Sequence, residues 1–385
     1  MKIAIIIPDD FSIVWFSETL VKKLLIDNEV TAICDIHNGY EPEHYLKIMK
    51  EWGINHEYIK FYRFMNPLKD LLYVKNLYKI LKKRKFDKVI NIATKPNLFG
   101  SIAARLSGIK DVTTCVWGLG LSFSDKRTIK AFILRLVASQ LYKHSFRQSK
   151  KIWFTNKNDL EYFTSRAMID ESKAYLTRNY VNTKQFSPDS VTSEDSLKLK
   201  RSLGFLPQDK VVICLARMSW AKGIKEFCEA SDILKDENIK FLLVGPVDEG
   251  SSDSVPVSYL EKYNSNNNFK WIGFRRDVKE LYSICCLAVY PSFYREGGYP
   301  RGLTEPMSMQ KPVITTDSKH CSAAVDHEIS GLLVPIRDSI ALSDAIKRIV
   351  DDEGLATSFG IQSRKKAQRE LDEEVIIEDL VKSIF

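Results

Sequence analysis

Cys286-Leu-Ala-Val-Tyr290-Pro-Ser-Phe-Tyr294-Arg-Glu296-Gly-Gly-Tyr-Pro300-Arg-Gly-Leu-Thr-Glu305 runs from a short apolar stretch through a Gly-rich turn into the start of a helix. An apolar helical stretch follows, and Val313 to Thr315 reads as the next strand. Strand, crossover helix and strand in so short a span form a parallel unit. The alternation extends both ways: Val211 to Ala216, Phe241 to Val244 and Leu332 to Val334 in this half, and Lys2 to Ile7, Val30 to Asp35, Lys88 to Ala93, Val112 to Val116 and Lys151 to Thr155 in the other. Helical patterns separate these runs, so the predicted class is α/β, with two doubly wound domains facing across a cleft. The expected division is residues 1–180, residues 181–365, and a C-terminal helix over 366–385 that returns to the first domain.

The 385 residues are 44% apolar and 28% charged, with 17 Gly and 13 Pro, which describes a globular protein and excludes collagen-like or largely disordered readings. No apolar run approaches the length of a membrane span. Met1 to Ile7 ends at Pro8 and Asp9, too short for a signal-peptide core, and reads as a first strand. Seven scattered Cys predict reduced thiols in a cytoplasmic protein. The six His lack zinc-type spacing, so no metal is expected.

Charge is distributed unevenly. Up to Pro188, 31 Lys and Arg face 18 Asp and Glu, whereas the remainder carries 26 against 31. The first half therefore expects an anionic partner: a nucleic acid, an anionic membrane surface or a phosphorylated small molecule. No RNA-recognition or helix-turn-helix signature accompanies the basic stretches, which argues against nucleic acid. Leu68 to Asp87, with Lys82-Lys-Arg-Lys85, and Thr128 to Ser149, rimmed by Lys130, Arg135, Lys143 and Arg147, could lie on an anionic leaflet; each also suits a core helix with a solvated basic face.

Two segments point to chemistry. The turn holding Glu296, Gly297 and Gly298 leads to Glu305; its backbone N–H groups suit a diphosphate or sugar hydroxyls, and its carboxylates suit vicinal hydroxyls. In Leu215-Ala-Arg217-Met-Ser-Trp-Ala-Lys222-Gly223, the guanidinium can fork onto two phosphate oxygens while the ammonium supplies a point charge. Each segment alone is also compatible with a solvated loop. Both lie at carboxyl ends of strands in one half, where an open sheet holds its ligand.

These residues resemble the retaining glycosyltransferases of family 4, which have the two-Rossmann GT-B fold, over nearly the whole chain. The resemblance implies that Arg217 and Lys222 hold a nucleotide diphosphate, that Glu296 lies by the donor sugar and that Glu305 holds the ribose, giving Arg217, Lys222 and Glu296 as catalytic positions. Phe274, Arg275, Tyr294, Gly297, Gly298, Tyr299 and Pro300 complete the implied donor site, with Gly273-Phe274-Arg275 beside the nucleobase. Asn179-Tyr-Val-Asn-Thr with Phe186 and Pro188 resembles the entry into the second domain. Thr94-Lys95-Pro96-Asn97 and Trp117-Gly118-Leu119-Gly120 with Phe123 are similar to members that extend undecaprenyl-diphosphate-linked sugars. Lys95, Asn97, Gly118, Leu119, Gly120 and Phe123 are thus the implied acceptor site. The resemblance implies a UDP-sugar donor, carrying N-acetylgalactosamine or a related hexose, an undecaprenyl-diphosphate-linked saccharide acceptor, no cofactor, and a peripheral place on the inner face of a bacterial cytoplasmic membrane.

Three departures stand out. Eight residues, Gly297 to Thr304, separate the two glutamates where the family has seven. Pro306 follows Glu305, and a proline inside a helix removes a donor and clashes with the preceding turn. It is therefore expected in the first turn of a helix that starts late, with Gly297-Gly298 bulging toward the donor sugar. Trp117-Gly118 stands where many members carry a His, and Pro8 to Ser12 replaces a paired-Gly loop. A nucleotide-sugar epimerase of the same fold, and a non-catalytic membrane-docking protein that keeps a nucleotide pocket, remain alternative readings.

Overall fold

The computed structural model of the chain describes residues 1–36, 43–119, 123, 129–235, 237–296 and 299–385. It forms two compact units, one of Met1–Arg178 with Glu374–Phe385 and one of Asn179–Glu373.

The first unit is built on seven parallel strands: β1 (Lys2–Asp9), β2 (Glu29–Asp35), β3 (Asn55–Tyr58), β4 (Lys88–Ile92), β5 (Asp111–Val116), β6 (Lys151–Phe154) and β7 (Ala174–Leu176). Their order is β3-β2-β1-β4-β5-β6-β7. The chain steps outward from β1 to β3, then returns beside β1 with β4 and steps out the other way, so the strand order reverses between β1 and β4. Ile3 to Ile7 are completely buried, as expected of a strand covered on both faces.

The second unit repeats the plan with β8 (Lys210–Leu215), β9 (Ile239–Val244), β10 (Phe269–Trp271), β11 (Leu287–Tyr290), β12 (Val313–Thr316) and β13 (Gly331–Val334), in the order β10-β9-β8-β11-β12-β13. Here the reversal falls between β8 and β11. Such a switch point leaves a crevice at the carboxyl edge, because the two flanking connections leave toward opposite faces of the sheet.

Three strands are absent from the sequence reading: β3, β7 and β10. All three are sheet edges, and β3 and β7 contain no buried residue. The expected 366–385 helix is also corrected. One helix spans Glu353–Glu370 and another Glu373–Ile384. Val181 N–H donates to Leu371 O at 2.9 Å and Glu373 N–H to Val181 O at 3.0 Å, which ties the junction to the second unit. Only the last helix belongs to the first unit, where Ile377, Leu380 and Ile384 are buried and the fully buried Lys88 donates to Ile384 O at 2.7 Å. All seven Cys are free thiols.

Candidate active site

The connections after β8 and β11 meet at the switch point of the second sheet. After β8, a single 3-10 turn, Trp220–Lys222, is stopped by Gly223 at φ 75°. A Cβ at Gly223 would lie 2.2 Å from the carbonyl oxygen of Pro291, so only glycine lets this turn close onto the chain leaving β11. Phe293 N–H donates to Ala221 O at 2.9 Å across the same junction.

That approach delivers Lys222 to Glu296. The ammonium donates to Glu296 Oε1 at 2.7 Å and Oε2 at 2.8 Å, and to the Tyr290 hydroxyl at 2.8 Å, so its three N–H groups meet three acceptors. Ser292 Oγ donates to Glu296 Oε1 at 2.6 Å and Tyr290 Oη to the same oxygen at 3.1 Å. Burial, then the Glu296 charge, holds the Tyr290 phenol well above its ordinary range, which keeps its proton available for that bond. The Lys222 and Glu296 side chains are 9% and 8% exposed, and the Tyr294 ring lies 4.9 Å from the ammonium. In this dry setting the pair is strongly coupled, and releasing either member leaves a buried charge to be met by something else.

Arg217 lies on the same connection. It pairs with Asp248 at 2.8 Å, in the loop after β9, yet its side chain stays 44% exposed, leaving room for an anion on the guanidinium. Asp253 fastens the loop between Arg217 and Lys222: it accepts from the Ser219 hydroxyl and from Ala221 N–H at 3.1 Å, and its carbonyl accepts from Trp220 N–H at 2.9 Å. Arg275 is held by both oxygens of Asp277, beside the half-buried Phe274.

Glu305 is buried, and burial pushes its carboxyl up to about 7, against a smaller opposite pull from Arg301. The Arg301 guanidinium is 3.7 Å away. The helix carrying Glu305 spans Arg301–Ser308, capped by Pro300, and contains Pro306 in its second turn. The expectation of a late helix start with Pro306 in the first turn is therefore corrected. An eight-residue helix gives up one internal bond to Pro306 and keeps Thr304 N–H on Pro300 O at 3.1 Å and Met309 N–H on Glu305 O at 3.0 Å. Gly302 sets its depth, because a Cβ there would lie 2.6 Å from the Tyr290 ring. Tyr299 packs on the core of this unit; Gly297 and Gly298 lie outside the described residues.

In the first unit, β4 is followed directly by Ala93, a non-glycine residue at φ 82°, and the chain runs into a π-helical turn over Pro96–Gly100. Such local strain clusters at functional sites. Lys95 enters a buried ion pair with Asp70 at 2.6 Å and donates to Phe64 O at 2.7 Å. Asn97 is wholly buried: its side-chain amide N–H donates to Cys115 O at 2.7 Å and its backbone carbonyl accepts from the Ser101 and Ser145 hydroxyls. Leu119 and Phe123 are buried, Phe123 among Tyr142, Tyr162 and Phe163. Asn97, Leu119 and Phe123, expected at the acceptor site, are thus buried groups that shape this edge from beneath. Gly118 is half-exposed, and Gly120 lies outside the described residues.

Tyr290, Ser292, Asp248 and Asp253 were missed from the sequence. The signal for three of them was position, since Tyr290, Ser292 and Asp248 stand at or just beyond the carboxyl ends of β11 and β9. Among the described residues no three His, Cys, Asp or Glu side chains gather as a metal site.

Known proteins share the family and the fold. Residues 195–366 match the family described as Glycosyl transferases group 1, and residues 36–156 that described as Glycosyl transferase 4-like. The chain is 30% identical over 344 residues, 88% of each protein, to the N,N'-diacetylbacillosaminyl-diphospho-undecaprenol alpha-1,3-N-acetylgalactosaminyltransferase of Campylobacter jejuni. It is 25% identical over 76% of its length and 74% of the other's to the UDP-Gal:alpha-D-GlcNAc-diphosphoundecaprenol alpha-1,3-galactosyltransferase of Escherichia coli. The fold matches that of Anabaena Alr3699/HepE, solved in complex with UDP-glucose, with a TM-score of 0.80 at 18% identity over 100% of this chain and 99% of that one. The chain therefore belongs to the group 1, family 4 glycosyltransferases of GT-B fold, and is an enzyme of that class.

Proposed function

We propose that this enzyme moves a sugar, N-acetylgalactosamine or a related hexose, from a UDP-sugar to a hydroxyl of an undecaprenyl-diphosphate-linked saccharide, with retention of anomeric configuration. The observation that carries the reading is the Lys222–Glu296 pair at the switch point of the second sheet, with Arg217 on the same connection. The two transferases named above, both acting on undecaprenyl-diphosphate-linked sugars, support the acceptor class.

The chemistry follows from charge. As the bond between the sugar and the diphosphate breaks, its electron pair stays on the leaving phosphate oxygen. Arg217 and Lys222 stabilise that charge, which is the largest contribution such a site can make. The three donors of Lys222 are already engaged, so gripping phosphate requires it to exchange a Glu296 oxygen for a phosphate oxygen. The freed Glu296 oxygen then accepts from a donor-sugar hydroxyl, while Tyr290 and Ser292 keep the carboxylate in place. Glu305 takes the ribose hydroxyls. The acceptor hydroxyl attacks from the face the diphosphate leaves, its oxygen bonds to the anomeric carbon, and its proton passes to the leaving phosphate oxygen.

Acceptor delivery would come from a peripheral position on the inner face of the cytoplasmic membrane. No helix among the described residues is long and apolar enough to cross a membrane. The helix Ile129–Gln148, however, exposes Ile129, Phe132, Ile133, Leu136 and Val137 at helical spacing, while Ala138, Tyr142 and Phe146 pack inward. In the helix Pro67–Arg84, Leu68, Leu71 and Leu72 are exposed beside the exposed Lys69, Lys75 and Lys79. Apolar stripes with a basic rim suit an anionic leaflet, each nearby cation adding about 1 kcal/mol. Phe132→Ser with Leu136→Ser is expected to reduce sedimentation with phosphatidylglycerol vesicles severalfold and to leave UDP binding unchanged; equal sedimentation of variant and wild type would remove the docking face.

Release of UDP from a panel of UDP-sugars, with and without a lipid-linked acceptor, tests the reaction. A transferase requires the acceptor, an epimerase interconverts donors without one, and a docking protein does neither.

A further inference from the structure

We propose that Phe11, Trp15, Phe16 and Trp117 form an aromatic platform in the first unit that stacks against the sugar ring of the acceptor. The proposal rests on the transferase reading and adds a site to it. Phe11, Trp15 and Phe16 lie on the short helix Asp10–Phe16 that leaves β1, and Trp117 directly follows β5. In the sheet β4 separates those strands, so the edge-on contact of Phe16 with Trp117, 5.9 Å between ring centroids, passes over the end of β4 at the switch point. Phe11 joins the group, 5.8 Å from Trp15 and 5.7 Å from Phe16, and rests on the buried Tyr45 at 5.4 Å.

Three observations mark a ligand site rather than a stray part of the core. The four rings are all only half-buried, although Ile3 to Ile7 and Val112 to Val116 in the strands beneath them are buried. β1 shifts register against β2 between Ile6 and Asp9, an irregularity that re-aims a strand end. Ala93, at the end of β4 between the two aromatic arms, is held in the left-handed region, which costs an alanine about 1 kcal/mol.

The chemistry selects the ligand. Aromatic faces pack well against the C–H faces of a pyranose, and the rim supplies a carboxylate. Asp9 Oδ1 accepts from Ser12 N–H at 2.8 Å and from its hydroxyl at 2.6 Å, while Oδ2 takes no hydrogen bond from a described residue and points to use by a sugar hydroxyl. A carboxylate at the rim repels a diphosphate and gives nothing to a polyprenyl chain. A neutral, hydroxylated ring suits both features.

Binding separates this proposal from the reaction itself. The full-length protein would be titrated with a short-chain prenyl diphosphate bearing N-acetylhexosamine and with the same prenyl diphosphate lacking sugar. The wild type is expected to bind the sugar-bearing compound about tenfold more tightly, the effect of two stacked rings. Trp117→Ala and Phe16→Leu should each erase most of that preference, leave the sugar-free affinity and the melting temperature unchanged, and Trp117→Phe should restore the preference. A wild type without the preference, or alanine and leucine variants that retain it, overturns the platform. UDP release judges the transferase reading independently.

Discussion

Lys222→Met is expected to lower the rate of sugar transfer by about two to three orders of magnitude, the usual effect of deleting one donor from a charge-stabilising site. Methionine keeps the length and apolar stem of lysine and removes only the charge and its three donors. The same change leaves Glu296 buried with the Tyr290 and Ser292 hydroxyls and no cation. Breaking a buried pair in this way costs about 3 kcal/mol or more of stability. A rate loss could then follow from unfolding alone, and a second substitution distinguishes the two causes. Lys222→Met combined with Glu296→Gln removes the uncompensated charge, so the melting temperature should recover most of the loss. The rate should not recover, because the leaving diphosphate still lacks its ammonium. Paired melting curves and UDP-release rates decide the matter: recovery of both properties in the double variant would make Lys222 a structural residue only.

The pair also shows where sequence and structure part. The alternation of apolar runs and helical stretches places the two sheets, since a strand covered on both faces must be apolar throughout, as Ile3 to Ile7 and Leu287 to Tyr290 are. Edge strands escape the same test: Asn55-His-Glu-Tyr58 pairs its backbone on one side and buries no residue, so composition carries no signal. Arg217, Lys222 and Glu296 are legible because charged groups cluster beside glycines at strand ends. Their partners are not. Nothing in the spacing says that Lys222 meets Glu296 and Tyr290, 74 and 68 residues away, because that meeting depends on which strands adjoin and on the Gly223 turn touching Pro291. Pro306 misled for a related reason. Its helix is so short, and so tightly set by Gly302 against Tyr290, that tertiary packing outweighs the helix-breaking tendency of proline.

Glu305→Gln is expected to abolish a pH dependence that the wild type shows in both stability and UDP-sugar affinity. Burial raises the Glu305 carboxyl from 4.5 to about 7 in the folded chain. Between those values the folded state holds a proton that the unfolded chain has released, so stability falls as pH rises through the interval. The contribution is fully present below pH 4.5 and lost above about pH 7, roughly 3 kcal/mol in all. Melting temperatures of the wild type minus those of the variant, measured from pH 5 to pH 8, should therefore decline with pH. Affinity runs the other way. In the ribose-binding role proposed for Glu305, hydroxyls donate to the ionised carboxylate, and at pH 6 only about a tenth of a group titrating near 7 is ionised, so a UDP-sugar should bind about tenfold more weakly at pH 6 than at pH 8. The diphosphate of a UDP-sugar is a diester without a proton to exchange in this range, which leaves the protein as the source of the effect. Calorimetry on the wild type should also show protons released on binding near pH 6, because the bound ribose holds Glu305 in its charged form. In Glu305→Gln the affinity is lower at pH 8, flat across the range, and unaccompanied by proton release. A variant that keeps the wild-type pH profile would place the titrating group elsewhere and remove Glu305 from the nucleotide.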